Sequence, residues 1–394
     1  MDLKKEIKLS DLVRRPARAK TPGTRTFPQT ETQSKRTRRL SRKRKQEVIG
    51  LKIGASQLAA SRVSNNGSPT LLQLVREPLD RGIVSGGEVR DIPALASALD
   101  AFFTKYSLPR RNVRLGVATN RIGVRAFEMA GVDDDRQLSN AVRFRAQEAV
   151  SIPTDEAILD YHVVSETVDE SGTVNRRILL AAAYRESIDR YIDACRRAEI
   201  ALVGIDLEAF ALLRAVAPPP SEADRARAAA TIAVTIGHDR TTLAISDGVV
   251  CEFTRVLEWG GSALTRAIAR ELHVDTEEAE ELKRAITLDP DVTDDDDRTR
   301  LVRGAVQREV QTLARELVSS LQFYQSQPES LAIGDVLIAG GATQMRGFIE
   351  ELARVTRVRV RRADPLARVA VADDVEAGDD LPSFAVAIGL GVDD

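Results

Sequence analysis

Two glycine turns, far apart in the chain, have the residue types needed to hold a phosphate chain. Each turn follows an aliphatic stretch that ends in Ile-Gly. The residues concerned are Lys52, Gly54, Ala55 and Ser56 in the first turn, and Gly237 and His238 in the second. Glycine permits a positive φ and a close approach between the backbone and a ligand. If the two turns face each other, their backbone N–H groups are directed at one phosphate chain.

A third glycine element lies further along the chain. The aliphatic stretch 336–339 runs into Gly340, Gly341 and Ala342. A strand that enters Gly-Gly before a helix lets a ligand approach the backbone closely, although a simple tight turn has the same letters. We therefore assign these three residues to the same predicted nucleotide site.

Lysine is rare outside the N-terminal segment, and its positions indicate where a compact point charge is needed. Residues 47–394 contain 38 arginines but only three lysines, namely Lys52, Lys105 and Lys283. Lys52 either contacts phosphate or points to solvent from a relic loop. Lys283 lies three residues after Glu280, so a helix places both on one face. They form either part of the nucleotide site or a surface ion pair, for which Arg284 is an equally available partner of Glu280.

Hydrophobic periodicity predicts the elements that must position these turns. Both turns lie inside β-hairpins, the first at 48–63 and the second opening at 233. A β-α-β-β-α-β run is predicted between 122 and 205, and a long helix at 302–325. Strands that alternate with helices in this way are typical of an α/β protein.

The length of 394 residues exceeds one ordinary core and suggests two lobes. We predict a disordered basic arm at 1–46, the first part of one lobe at 47–120, and an inserted subdomain at 121–200. A return to the first lobe and a linker follow at 201–229. The second lobe is predicted at 230–370, with a group of helices at about 262–330, and residues 371–394 are expected to close on the first lobe.

The charge of the chain is divided sharply between the arm and the body. Residues 1–46 carry 16 Lys/Arg and 4 Asp/Glu, whereas the remainder carries 41 basic and 55 acidic residues. The arm has too few large apolar residues to fold alone. It is either a solvated tether or a segment attracted to an anionic membrane or to a partner. Nucleic acid is disfavoured, because Phe27 is the one aromatic residue in the arm.

Composition also excludes several classes of protein. No stretch of 18 uncharged apolar residues exists, so no membrane span is predicted. The N-terminus lacks the apolar region of a secretory signal. Two cysteines fit a reducing cytosol, and three scattered histidines argue against a zinc site, so no metal site is predicted.

The order of these elements resembles the PilM family of type IV pilus assembly proteins and, more distantly, the FtsA family of cell-division proteins. Both belong to the actin-like ATPase superfamily. Five local matches carry the resemblance: VIGLKIGAS at 48–56, AVSIP at 149–153 with LDY at 159–161, GIDLEAFAL at 204–212, GGSALT at 260–265 with AEELK at 279–283, and IAGGA at 338–342. The resemblance implies an α/β, actin-like two-lobed fold with a duplicated core and an inserted subdomain of the FtsA/PilM type.

The resemblance also implies a cytoplasmic scaffold at the inner face of the cell membrane. Such a protein docks the cytoplasmic tail of a PilN-like inner-membrane protein and couples it to the motor components of pilus assembly. ATP is the implied cofactor, and residues such as Glu280 and Lys283 approach its ribose and base.

The residues at the positions expected for catalysis differ from those of active members of the superfamily. Active members usually have a magnesium-linked aspartate two residues before each loop glycine, where this chain has Lys52 and Thr235. Magnesium binding is therefore doubtful, and we assign no catalytic residue. Glu208 is at the position where related actin-like proteins have the residue that polarises the attacking water. It is either a vestige of that role or an ordinary polar residue near a helix start. The alternatives are a working ATPase that uses Asp206 or Asp239, and an FtsA-like filament protein tethered to membrane.

Overall fold

The computed structural model describes residues 47–132, 134–150, 152–217, 229–292, 296–327, 330–373, 375 and 378–393. The predicted basic arm lies outside the described residues, as does most of the predicted linker, 218–228.

A six-stranded sheet carries the first glycine turn. Its strand order is β10-β6-β1-β2-β3-β16, with β1 antiparallel to β2 and parallel to β6. The strands are β1 (Glu47–Ile53), β2 (Gln57–Ser64), β3 (Thr70–Pro78), β6 (Val113–Val117), β10 (Leu202–Leu207) and β16 (Ala370–Val371). Its core is aliphatic, since Leu51, Leu58, Leu95 and Leu115 are almost completely buried.

A five-stranded sheet repeats this arrangement around the second turn. Its order is β13-β12-β11-β14-β15, again with an antiparallel hairpin and a parallel neighbour on the other side. The strands are β11 (Ala229–Ile236), β12 (Thr241–Ser246), β13 (Cys251–Leu257), β14 (Ala332–Gly340) and β15 (Val360–Arg362). The repeated pattern of hairpin and parallel crossover is the duplicated core expected for the actin-like fold.

Two smaller sheets complete the strands among the described residues. A three-stranded antiparallel sheet has the order β7-β9-β8, formed by β7 (Ile122–Ala130), β8 (Ala157–Val168) and β9 (Val174–Tyr184). A short hairpin pairs β4 (Val84–Ser85) with β5 (Glu88–Val89).

Nine α-helices lie within the described residues. They are α1 (Ile92–Lys105), α2 (Asp135–Ala149), α3 (Arg185–Arg197), α4 (Glu208–Val216), α5 (Gly261–Leu272), α6 (Thr276–Ala285), α7 (Asp297–Gln325), α8 (Phe348–Thr356) and α9 (Ala385–Gly391). Asp275 caps α6 by accepting from the backbone N–H groups of Glu277 and Glu278, which accounts for the start of that helix.

The predicted insertion contributes to two cores. Helix α2 packs on the three-stranded sheet through Leu138, Val142 and Ala146. Helix α3 instead packs against α1, and its Ile188 and Tyr191 belong to the core of the six-stranded sheet. Because α3 lies inside the predicted insertion but packs with the first lobe, the end of the insertion at residue 200 stays a prediction.

Helix α9 returns the chain to the six-stranded sheet, where it packs against β1, β2 and α4. Gly50 and Gly389 allow this contact, because a Cβ on Gly389 would lie 1.7 Å from the carbonyl oxygen of Ala211. Arg114 donates to the carbonyl oxygens of Leu390 and Val392 at the end of the helix.

Strand β13 and the β4–β5 hairpin were not predicted from the sequence. Helix α8 ends where Arg357 adopts a left-handed conformation, and the edge strand that follows runs from Val360 to Arg362.

Candidate functional site

The first glycine turn is a tight hairpin between β1 and β2. The N–H of Gly54 donates to the carbonyl of Gln57 at 2.9 Å, which fixes the turn. Ala55 and Ser56 form its tip and are partly exposed.

Lys52 forms an ion pair inside the protein. Its Nζ lies 3.4 Å from Oε2 of Glu208, and the two side chains are only 16% and 9% exposed. Glu208 is the first residue of α4, where the helix dipole favours a carboxylate. The Lys52 side chain therefore does not point to solvent, and its contact with phosphate stays a prediction.

The second glycine turn packs against the start of helix α5. Gly237 donates to the carbonyl of Arg240 at 2.8 Å, and its own carbonyl accepts from Gly261 at 2.9 Å. The carbonyl of His238 accepts from the N–H of Ser262 at 2.7 Å. Burial lowers the pKa of the His238 imidazole below its usual value, and Lys283 adds to this effect while Asp239 opposes it.

Glu280 and Lys283 lie on one face of α6 and are bonded to α5. Lys283 Nζ donates to Oε2 of Glu280 at 2.6 Å and to Oγ1 of Thr265 at 3.0 Å, and it lies 3.4 Å from the carbonyl oxygen of Gly261. Arg284 Nε also contacts Glu280, at 3.3 Å. Burial raises the pKa of Glu280, but the hydrogen bonds from Lys283 and Thr265 outweigh burial, so the pKa lies below its ordinary value.

Gly340 and Gly341 end β14 beside the second turn. Gly340 pairs with Ile236 and has a φ of +99°, and a Cβ there would lie 2.2 Å from the carbonyl oxygen of Ile236. A Cβ on Gly341 would meet no heavy atom within 4 Å. Gly341 therefore presents its backbone to open space, whereas Gly340 is required by packing and Ala342 is half-buried against the core of the five-stranded sheet.

A cavity of about 70 Å³ lies between the two turns. It brings together Lys52, Gly54, Ala55, Ser56, Glu208, Gly237 and His238. Glu280, Lys283, Gly340, Gly341 and Ala342 lie outside its lining. A nucleotide needs a pocket of several hundred Å³, so its entry requires the two lobes to separate.

The donor set does not suit magnesium, because Lys52 presents an ammonium group and Thr235 is neutral and buried. Asp206 is bonded to Arg214, and Asp239 accepts from the N–H of Gly86 at 3.0 Å. Among the described residues, no cluster of three or more histidine, cysteine, aspartate or glutamate side chains is placed to hold a metal ion.

Arg240 and the turn at Gly86 and Gly87 line or border this cleft, but they were not predicted from the sequence. Arg240 donates from Nη1 to the carbonyl of Ala118 at 2.9 Å. The Gly-Gly pair could have predicted this turn, since two glycines between short extended segments are typical of a tight hairpin.

A second, larger cavity of about 690 Å³ lies between the three sheets. We call it the groove; it is bordered by β7 and β13, which are edge strands of their sheets and contact each other. Segment 117–121 forms one wall. The lining includes the aromatic residues Tyr184, Phe253 and Phe323 and the arginines Arg121, Arg125 and Arg255.

The groove combines apolar and cationic surfaces. Phe323 is 54% exposed, although its ring centroid lies 5.7 Å from that of Phe253. Arg121 stacks over the ring of Tyr184 at 4.1 Å and forms an ion pair with Glu88 at 3.1 Å.

None of the described helices has the length and hydropathy of a bilayer span.

Comparison with known proteins identifies relatives over nearly all of the described chain. The sequence model of the family described as type IV pilus assembly protein PilM matches residues 50–394. The chain is 23% identical over 382 residues to cell division protein FtsA of Pseudomonas aeruginosa, covering 87% of this chain and 88% of that protein.

Solved structures agree with this result. A PilM–PilN type IV pilus biogenesis complex matches with a TM-score of 0.72 and 27% identity, over 88% of this chain and 97% of that one. MreB5 of Spiroplasma citri, bound to AMPPNP, matches with a TM-score of 0.51 and 12% identity, over 87% and 94% of the two chains. The latter likeness confirms the actin-like fold alone.

Proposed function

Because this chain belongs to the PilM family of type IV pilus assembly proteins, we propose that it docks the cytoplasmic tail of a PilN-like inner-membrane protein in the groove. The chain is a PilM-like scaffold of type IV pilus assembly or a related secretion system. Docking of the tail would hold it at the inner face of the membrane, where it can meet the motor components of the assembly machine.

The observation that carries this proposal is the pair of edge strands along the groove. β7 and β13 each have one side without a strand partner among the described residues. An extended peptide can add to such an edge through main-chain hydrogen bonds, while alternate side chains enter pockets. The groove has the volume for several side chains, at about 690 Å³.

The lining indicates the chemistry of the peptide. Phe253 and Phe323 provide an apolar wall, Arg125 provides positive charge, and Arg255 adds a guanidinium group that is paired with Glu316 at 3.3 Å. The segment that fits best has aliphatic residues at alternate positions and at least one carboxylate. Exposed aromatic and arginine side chains are also the residues that most often dominate binding energy at interfaces.

The cleft between the glycine turns supports a second part of the proposal, that ATP is bound without efficient hydrolysis. The turns supply backbone donors, and Lys52 and Arg240 supply positive charge. Phosphoryl transfer also needs a metal that bridges the phosphates and a group that positions water. Glu208 is bonded to Lys52, so its carboxylate is not available to orient water while that pair is intact.

Calorimetry with a synthetic peptide of the PilN-like tail tests the docking proposal. Phe323→Ala should weaken binding about tenfold or more, because it removes an exposed aromatic anchor. Phe144→Ala is the matched control, since Phe144 is 68% exposed on α2 but does not line the groove.

Hydrogen exchange with the peptide bound locates the site independently. Protection is expected at 117–125 and 251–257. Equal losses in the two phenylalanine variants, or protection confined to α5 and α6, would contradict docking in the groove.

A further inference from the structure

Arg240 crosses from the second glycine turn to the first lobe. Its Nη1 donates to the carbonyl of Ala118, and its guanidinium lies against the turn of the β4–β5 hairpin. The neighbouring Asp239 accepts from the N–H of Gly86. Together these two contacts close the cleft; we call them the latch.

The hairpin turn is shaped to receive this side chain. Gly86 and Gly87 have φ values of +67° and +65°, and the hydroxyl of Tyr191 donates to the carbonyl of Gly87 at 3.1 Å. A Cβ on Gly87 would lie 2.1 Å from the oxygen of Ala118 and 2.5 Å from Nη1 of Arg240. Any larger residue at Gly87 would therefore displace the guanidinium.

The guanidinium is not fully satisfied by the latch. The Arg240 side chain is only 10% exposed, and its Nε is buried without a hydrogen-bond partner among the residues that the structure describes. This Nε lies 3.8 Å from Oδ2 of Asp239, so its charge is paired, but a buried donor that makes no hydrogen bond still costs free energy. Because Arg240 lines the cavity between the two glycine turns, an anion there can satisfy this donor.

The same side chain also touches a wall of the groove. Ala118 lines both cavities, and the residues that follow it, Thr119, Asn120 and Arg121, line the groove alone. The latch therefore holds segment 117–121 from the cleft side, while a peptide in the groove would contact the segment from the opposite side.

We propose that Arg240 binds a nucleotide phosphate in the cleft and, by releasing the Ala118 carbonyl to do so, weakens peptide binding in the groove. This inference rests on the proposed function, since it requires both ligands. Because the closed cavity, at about 70 Å³, is too small for a nucleotide, phosphate can reach Arg240 only when the latch opens, so phosphate binding and a closed latch oppose each other. By thermodynamic linkage, the peptide must weaken nucleotide binding by the same factor.

Calorimetry on the full chain tests the coupling, with ATP in EDTA and the PilN-like tail peptide as the two ligands. For the unmodified protein, saturating ATP should raise the Kd of the peptide about three- to tenfold. Arg240→Ala should bind ATP more weakly, and its peptide Kd should be the same with and without ATP. Arg300→Ala is the control, because Arg300 is an exposed arginine that lines neither cavity.

Gly87→Ala opens the latch from the first lobe, because the added Cβ displaces the guanidinium while the arginine itself is retained. A folded Gly87→Ala protein should bind the peptide more weakly even without ATP, and ATP should add little. Independent binding of the two ligands by the unmodified protein would overturn the coupling, as would unchanged coupling in Arg240→Ala. If ATP does not bind at all, the inference fails while docking stands; if the peptide does not bind, the proposed function fails with it.

Discussion

The Nζ of Lys52 and Oε2 of Glu208 lie 3.4 Å apart at the base of the interlobe cleft. A lysine and a glutamate thus satisfy each other at positions where the resemblance to the actin-like ATPase superfamily implies an aspartate and a water-orienting carboxylate. Both charges are largely buried, and each would lack a partner of opposite charge if the pair were broken. An incoming phosphate must compete with Glu208 for the ammonium group.

The first prediction concerns the contribution of this pair to stability. Lys52→Ala should lower the free energy of unfolding by about 1–3 kcal/mol, because it leaves a buried carboxylate without its cation. Urea denaturation measures the change. Lys105→Ala is the matched control: it removes an exposed lysine from its pair with Glu77 and should change stability little.

A second substitution checks the cause. Lys52→Ala combined with Glu208→Gln should be more stable than Lys52→Ala alone, since the unpaired charge is removed. If the double variant is no more stable than the single one, burial of charge at Glu208 is not the reason for the loss.

The second prediction is that ATP binding depends little on magnesium and that hydrolysis is negligible. Lysine beside phosphate favours binding, but one ammonium on a flexible stem cannot bridge two phosphates as magnesium does. Calorimetry with and without magnesium, beside a phosphate-release assay, measures both properties. Steady magnesium-dependent turnover by the unmodified protein would refute the prediction.

A paired substitution provides the converse experiment. Lys52→Asp with Thr235→Asp introduces carboxylates at the two positions where active relatives have them. This variant should gain magnesium dependence in ATP binding, whereas Lys52→Ala should only weaken binding.

The third prediction separates two adjacent glycines. Gly340→Ala should lower the free energy of unfolding by at least about 2 kcal/mol, because its Cβ would meet the carbonyl oxygen of Ile236 at a left-handed φ. Gly341→Ala should leave stability nearly unchanged and weaken ATP binding, because its Cβ would extend into open space. Thermal melts and calorimetry on both variants decide; an equal loss of stability in the two would contradict the geometry.

The fourth prediction concerns acid stability. The pKa of Glu280 lies below its ordinary value of 4.5, so its contribution is present above that pH and is lost as the pH falls through the lower, folded-state pKa. In urea titrations, the free energy of unfolding should decline less steeply below pH 4.5 in Glu280→Gln than in the unmodified protein. Glu277→Gln, an exposed position on the same helix, should retain the full decline.

The fifth prediction concerns the basic arm, residues 1–46. Deletion of the arm should leave the Tm nearly unchanged and weaken binding to anionic vesicles, because clustered Lys/Arg are attracted to acidic headgroups. The difference in vesicle binding between the full chain and the truncated protein should vanish at high ionic strength, where the Debye length falls to about 3 Å. A large drop in Tm on deletion would show instead that the arm belongs to the folded body.

The actin-like fold was predictable because its determinants are local and repeated. The Ile-Gly hairpins around Gly54 and Gly237 are flanked by largely apolar strands, and the resemblance to the PilM family is confirmed by the family match over 50–394. The long α7 and the capped α6 have clear helical periodicity for the same reason.

The side-chain partners were not predictable, because they depend on residues distant in sequence. The pairing of Lys52 with Glu208 and of Arg240 with Ala118 joins separate strands, helices and loops. Strand β13 was also missed, although it borders the groove and its alternation of apolar residues with Glu252 and Thr254 is typical of a strand.

Helix α9 has a consequence for the order of events during synthesis. It fills the space against β1 and β2, so the first-lobe core joins residues separated by more than 300 positions in the chain. The core between the five-stranded sheet and helices α5 to α8, in contrast, is built from one continuous stretch between Ala229 and Arg362. On a ribosome, this core can therefore form before residues 385–391 are available, although it is translated later, while the strands made earliest keep an apolar face uncovered until those residues arrive.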